Sequence, residues 1–205
     1  MPATKKKSVK GVRNPDRTRE RILAAALREF ADRGFAGARV DAIARRSGCN
    51  KRMLYHYYGD KEGLFRAVLR HKIVQRLAIV EAQSPGKDFV SAMPQWFAQN
   101  CQDADWVRLL AWESLQTLKD SVIDEAERAR RSRSAGQLIK QKQAAKILRA
   151  DVPPDFLLLA KVSLAMFPMA MPQVTRLLTG KSPRDVKFQK SYTKFLETIS
   201  NAFRP

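Results

Sequence analysis

Residues 40–58 read VDAIARRSGCNKRMLYHYY, and the side chains here that could do chemistry are long cations and aromatic hydroxyls. If a helix starts near Asn50, then Lys51, Arg52, Tyr55 and His56 point outward from it, and Tyr57 stands at its end. An arginine or lysine can make paired hydrogen bonds to a guanine edge in the major groove, while tyrosine hydroxyls and histidine reach phosphate oxygens. That mixture suits an element that reads duplex DNA. It does not suit catalysis, because the chain's two histidines, His56 and His71, both fall in or beside the segment 14–72 that would carry DNA binding. No phosphate loop, dinucleotide fingerprint or nucleophile elbow occurs. Cys49, Cys101, His56 and His71 lack metal-ligand spacing, so neither a metal nor a cofactor is expected.

Such side chains read DNA only if two helices hold them at a fixed angle. Ile43 belongs in a core, Ala44 is small enough for close helix crossing, and Gly48 can take the positive φ of a tight turn. Asn50 can cap the second helix, and Leu54 with Tyr58 gives that helix an apolar side toward the first. The spacing predicts a helix-turn-helix over about residues 39–58. On their own, the same residues also fit a plain helical hairpin with Tyr55 to Tyr58 as an aromatic packing cluster.

Around this motif the helical period dominates. Asn14 can cap, Pro15 suits a first helical position and Asp16 faces the positive dipole end. Ile22, Leu23, Ala26, Leu27 and Phe30 then recur on one face up to Gly34. Further breaks fall at Ser84-Pro85-Gly86, Gln102-Asp103, Val152-Pro153-Pro154 and Gly180-Lys181-Ser182-Pro183, and no strand-like alternation appears. The expected fold class is all-α with about nine helices and no solenoid repeat. Residues 1–13 carry five cations and no acid, and are expected to be a disordered basic arm.

The chain has 205 residues and a formal net charge of +19. Residues 1–72 hold 19 Lys plus Arg against 7 Asp plus Glu, net +12, so about a third of the chain carries most of the excess. The charge points to anionic partners, and its clustering around the helix-turn-helix favours nucleic acid. Two distant cysteines, and a basic start with no apolar run after it, predict a cytoplasmic protein without a signal peptide. Phe156 to Val174 is the longest apolar stretch, but Lys161, Pro168 and Pro172 interrupt it, so a buried helix is expected there rather than a membrane span.

Thr18 to Leu69, with TRERILAAALREFADRGF followed by VDAIARRSGCNKRMLYHYYGDKEGLF, resembles the DNA-binding domain of the tetracycline-repressor (TetR) family. Ile22, Ala26, Phe30, Gly34, Phe35, Val40, Ile43, Ala44, Gly48, Leu54, Tyr55, Tyr58, Lys61, Glu62 and Leu64 fall on the family's pattern. The resemblance implies that Tyr55 and Tyr57 contact phosphates, that His56 approaches a base or the backbone, and that Lys61 sets an ammonium and a helix N-terminus on phosphate. Asp60 could cap that helix. Two residues depart from the pattern: Arg39 replaces a hydroxyl residue, and Arg52 stands where a small residue is usual. Arg39 would make a charged phosphate contact and Arg52 a base contact.

The resemblance also implies a division into the arm 1–13, a DNA-binding domain 14–72 and a helical effector-binding and dimerisation domain 73–205. In the last of these, Trp96, Phe97, Trp106, Leu110, Trp112, Met166, Phe167 and Met169 supply large adaptable apolar surface and are candidates to line a pocket. At helical spacing they also fit a plain core. Phe188, Tyr192, Phe195 and Ile199 share one helical face that wants a partner, and with Arg176 from Phe167–Asp185, a segment resembling late helices of the family, they are candidates for a homodimer contact. The basic run Arg128 to Lys146 is expected to be solvated. The resulting expectation is a homodimeric transcriptional regulator, most often a repressor, on a palindromic duplex operator, released by a small apolar or amphipathic effector. The alternative is an architectural or nucleoid DNA-binding protein with no effector.

Overall fold

The computed structural model describes residues 15–83, 92–115 and 122–205, and the N-terminal arm and the Ser84-Pro85-Gly86 break lie outside them. Every regular element among the described residues is a helix: α1 (Pro15–Gly37), α2 (Val40–Ser47), α3 (Lys51–Tyr58), α4 (Lys61–Gln83), α5 (Met93–Gln102), α6 (Ala104–Leu115), α7 (Glu125–Ala144), α8 (Pro154–Ala170), α9 (Pro172–Thr179) and α10 (Val186–Ala202). Gly34 leaves helical geometry at φ 66° and ψ 178°, and helical bonding resumes to Gly37.

The tenth helix comes from the proline-rich stretch. Pro172 begins α9 rather than ending in a loop, and α8 and α9 meet at a bend of 88°. Pro168, by contrast, sits buried inside α8 and does not stop it. A proline there has no N–H for the carbonyl four residues earlier, which belongs to Leu164. The Tyr192 hydroxyl on α10 donates to that oxygen at 3.0 Å, so a side chain completes the ladder that the proline interrupts. Burial holds the Tyr192 phenol above its ordinary pKa, which keeps the proton it donates.

Two apolar clusters organise the packing. In the first, Ile22, Phe30, Ile43, Leu54, Leu64 and Phe65 join α1 to α4, and Phe30 meets Phe65 edge to face at 5.0 Å. This cluster runs on without a gap into α6 and α8 through Trp106, Leu109 and Met169. The second joins α5, α7, α8 and α10 through Phe97, Ile139, Leu157, Ala165, Phe188 and Leu196. Among the described residues no single helix is long and apolar enough to cross a membrane.

Candidate nucleic-acid interface

The motif is built from both ends of its turn. Gly48 closes α2 in the left-handed region at φ 65°, a conformation that costs glycine nothing. Asn50 caps α3, its side chain accepting from the Met53 amide at 2.8 Å. Leu54 is 1% exposed and pins the inner side of α3, which leaves Arg52, Tyr55 and His56 on the solvent side. No carboxylate is paired with Arg52 among the described residues. The outward side of α3 is therefore a fixed cationic and aromatic surface.

The other predicted contact residues are spread differently. Lys51 is exposed but sits beside Asp41 of α2, with Nζ 3.2 Å from Oδ1. Tyr57 is half-buried against the first cluster, with the Arg19 guanidinium 5.2 Å over its ring and the His56 ring at 5.6 Å. Arg39 is exposed at the start of α2, and its side chain makes no cap there. Lys61 turns back toward α1, where Nζ donates to the Ala36 carbonyl at 3.1 Å and stands 5.0 Å over the Phe35 ring. Burial lowers its pKa, against the pull of Glu29. Asp60 accepts from the Gly63 amide at 2.7 Å and so caps α4 beside this lysine.

Two residues that hold the motif were not singled out in the sequence reading. Glu29 is buried on α1, accepts the Arg39 amide at 3.2 Å, and faces Arg33 at 3.4 Å and Arg46 at 3.8 Å. Its place seven residues after Ile22, on the inner face of α1, was a readable signal. Arg21 donates to the Ser47 carbonyl at 3.0 and 2.7 Å and to the Gly48 carbonyl at 3.3 Å, covering the C-terminal end of α2 with a cation. Nothing in the local pattern marks it, because the acceptors lie 26 and 27 residues away.

The eight pocket candidates do not come together. Trp106, Leu110, Met166 and Met169 belong to the first cluster, where α6 packs on α1 and α8 on α6. Trp112 donates from Nε1 to the Ala31 carbonyl at 3.2 Å, and its ring lies so close to Gly34 that a Cβ there would stand 2.8 Å from it. Trp96 and Phe97 belong to the second cluster, and Phe167 is exposed. A groove of about 700 Å³ opens between α5 and α10, with Phe97, Ala98, Cys101, Lys190 and Lys194 in its walls. Of the dimer candidates, Phe188 is buried within the subunit, Tyr192 and Ile199 are partly buried, and Phe195 and Arg176 are exposed. In the basic run, Arg128 pairs with Glu113, and Arg130 and Arg131 pair with Glu127. No group of three or more His, Cys, Asp or Glu among the described residues could hold a metal ion.

The family described as bacterial regulatory proteins, tetR family, matches residues 22–68, and the tetracyclin repressor-like C-terminal domain matches residues 88–193. The HTH-type transcriptional repressor SCO4008 of Streptomyces coelicolor is 33% identical over 168 residues, covering 82% of this chain and 86% of that protein. The HTH-type transcriptional repressor NicS of Pseudomonas putida is 30% identical over 148 residues, covering 67% and 68%. Among solved structures, the transcriptional regulator SCO4942 from Streptomyces coelicolor shares the fold with a TM-score of 0.69 at 24% identity, covering 89% of this chain and 97% of that one. With an exposed cationic helix held by a capped turn, and both halves matched, this chain belongs to the TetR family and is a DNA-binding transcriptional repressor, not an enzyme.

Proposed function

We propose that the chain acts in the cytoplasm as a homodimer that binds a palindromic operator through α3 and lets go when a small apolar or amphipathic molecule binds its C-terminal half. The observation that carries the DNA reading is the split of α3 into a buried side at Leu54 and an exposed side at Arg52, Tyr55 and His56. Arg52 reads a base edge, and Tyr55, His56, Tyr57, Arg39 and Lys61 position the helix on the backbone. The chain divides near residue 72, with α4 carrying the signal across. Three side chains on α4 support that role: Arg70 bonds Asp124, Lys72 bonds Asp103 and Arg76 bonds Asn100. An effector that prefers one α4 position shifts the spacing of the two recognition helices.

Selection from a random duplex pool, followed by gel shift on the selected sequence, tests the DNA reading. Arg52→Ala is expected to relax preference at one base position by about 1–3 kcal/mol, while Tyr55→Phe weakens all sequences alike. If Arg52→Ala leaves the preferred sequence unchanged, α3 does not read bases through it. For the effector, the groove between α5 and α10 is the proposed site, its apolar wall at Phe97 and Ala98 and its lysines suiting an amphipathic ligand. A small amphipathic compound that raises the melting temperature and releases the duplex supports it. Release that survives filling the groove by Ala98→Trp puts the ligand elsewhere.

A further inference from the structure

Between Val40 and Tyr58 there is a single acid, Asp41. It stands in the first turn of α2, where the helix dipole favours a carboxylate. From there it reaches across the turn to Lys51, the first residue of α3, whose Nζ lies 3.2 Å from Oδ1 and 3.3 Å from Oδ2. The ammonium thus sits between both oxygens. Neither side chain is buried: Lys51 is 49% exposed and Asp41 is 65% exposed.

We propose that Asp41 is a specificity-determining residue, whose carboxylate competes with DNA phosphate for the Lys51 ammonium and withholds that cation from DNA of arbitrary sequence. The proposal rests on the reading that the outward side of α3 meets DNA. Sequence-independent affinity grows with the number of phosphates a protein's cations neutralise, so one withheld lysine removes about 0.9 from the slope of log affinity against log salt. An exposed ion pair in water is weak, and a phosphate can displace the carboxylate where α3 is pressed into the groove. That close approach occurs on a matching sequence. On other DNA the chain rides on backbone contacts, Lys51 stays with Asp41, and the carboxylate repels nearby phosphates. Asp41 therefore lowers binding to wrong DNA more than to right DNA, and discrimination is that difference.

The full chain, Asp41→Asn, Lys51→Ala, the double variant and Arg52→Ala are compared by fluorescence anisotropy across salt, on a mixed-sequence duplex pool and on the duplex the chain selects from it. Thermal melting shows that each variant is folded. Asp41→Asn is expected to tighten pool binding by about three- to tenfold at low salt and to steepen the salt slope by about one per subunit, with a smaller gain on the selected duplex. Most of that gain should vanish when Lys51 is absent. An equal gain in the Lys51→Ala background overturns the proposal, since Asp41 would then act only as a repelling charge, and so does an unchanged slope or an equal gain on both DNAs. Arg52→Ala separates the layers. If it weakens the selected duplex while Asp41→Asn is silent, only this inference fails; if it changes neither DNA, the placement of α3 on DNA fails with it.

Discussion

At the scale of single residues, the interface depends on a close approach behind it. Gly63, in the first turn of α4, passes so near the end of α3 that a Cβ would stand 2.1 Å from the Tyr58 carbonyl oxygen, an overlap with backbone that no side-chain motion relieves. Gly63→Ala is therefore expected to cost about 3 kcal/mol, read by urea denaturation, and to weaken DNA binding by tilting α3. Gly136, in the interior of α7, has nothing within 4 Å of its would-be Cβ, and Gly136→Ala should stabilise the same protein by about 0.5–1 kcal/mol through helix propensity alone. Opposite signs for one chemical change make the pair a sharp check. Residues whose partners are a turn away, such as Asn50, Gly48 and Asp60, were legible in the sequence because their role is local. Glu29 carries a local mark in its inner-face place on α1 and its Arg33 neighbour, but its Arg39 and Arg46 contacts, like the Ser47 and Gly48 carbonyls that Arg21 meets, are brought near only by the fold.

At the scale of elements, the breaks expected at Gln102-Asp103, Val152-Pro153-Pro154 and Gly180–Pro183 fall at helix ends, whereas the separation of α6 from α7 carries no such mark and the prolines of 156–174 act differently from a plain interruption. A one-helix reading of 156–174 treats both prolines as interruptions, yet Pro172 starts α9 while Pro168 is accommodated in α8. The accommodation depends on Tyr192, which arrives from α10, so no pattern within α8 could disclose it. Removing the hydroxyl leaves the Leu164 carbonyl without the donor it has in place of an amide. Tyr192→Phe is expected to cost about 1–2 kcal/mol, measured by chemical denaturation, with the ring packing against Phe97 and Phe188 kept. In a background where Pro168→Ala restores the amide, the same substitution should cost less, and equal losses in both backgrounds would mean that the hydroxyl is not replacing the missing N–H. The pocket candidates show the limit of composition at this scale. Large apolar residues at helical spacing serve a core or a cavity equally, and four of the eight proved to belong to the cluster where α6 packs on α1 and α8 on α6.

At the scale of the molecule, one of the contacts that hold α4 to the C-terminal half, Arg70 with Asp124, includes a carboxylate whose charge depends on pH. Hydrogen bonds from Arg70 hold the Asp124 carboxyl below its ordinary range, with further pull from nearby Arg128 and Arg66. A depressed carboxyl pKa contributes stability that is present above the unfolded value, about 4, and is lost as pH falls through the folded value. Asp124 adopts a left-handed backbone at φ 54°, which asparagine also tolerates, so Asp124→Asn removes the charge without straining the turn. The melting-temperature gap between native chain and variant should be constant from pH 7 to about 5 and close below about 4. A gap that persists in acid would assign the effect to shape rather than charge.

The proposed homodimer calls for a different face. α8 carries Phe156, Leu159 and Phe167 along one side, each close to half exposed or more, and α10 adds Phe195. The other α10 aromatics named from the sequence, Phe188 and Tyr192, turn inward to the second cluster, while Val186 of α10 and Leu177 and Leu178 of α9 are also exposed. Large apolar side chains in a row on a monomer mark a contact surface, and a palindromic operator requires two recognition helices about 34–36 Å apart. Leu159 is 60% exposed, so Leu159→Asp leaves the subunit core untouched while placing a charge in the contact. The variant should sediment as a monomer at concentrations where the native chain is a dimer, with a melting curve that no longer shifts with protein concentration. Its affinity for the selected duplex should fall by about a hundredfold or more, while the salt slope on a single half-site stays unchanged because α2 and α3 are intact. A Leu159→Asp chain that still sediments as a dimer would move the contact off this side of α8.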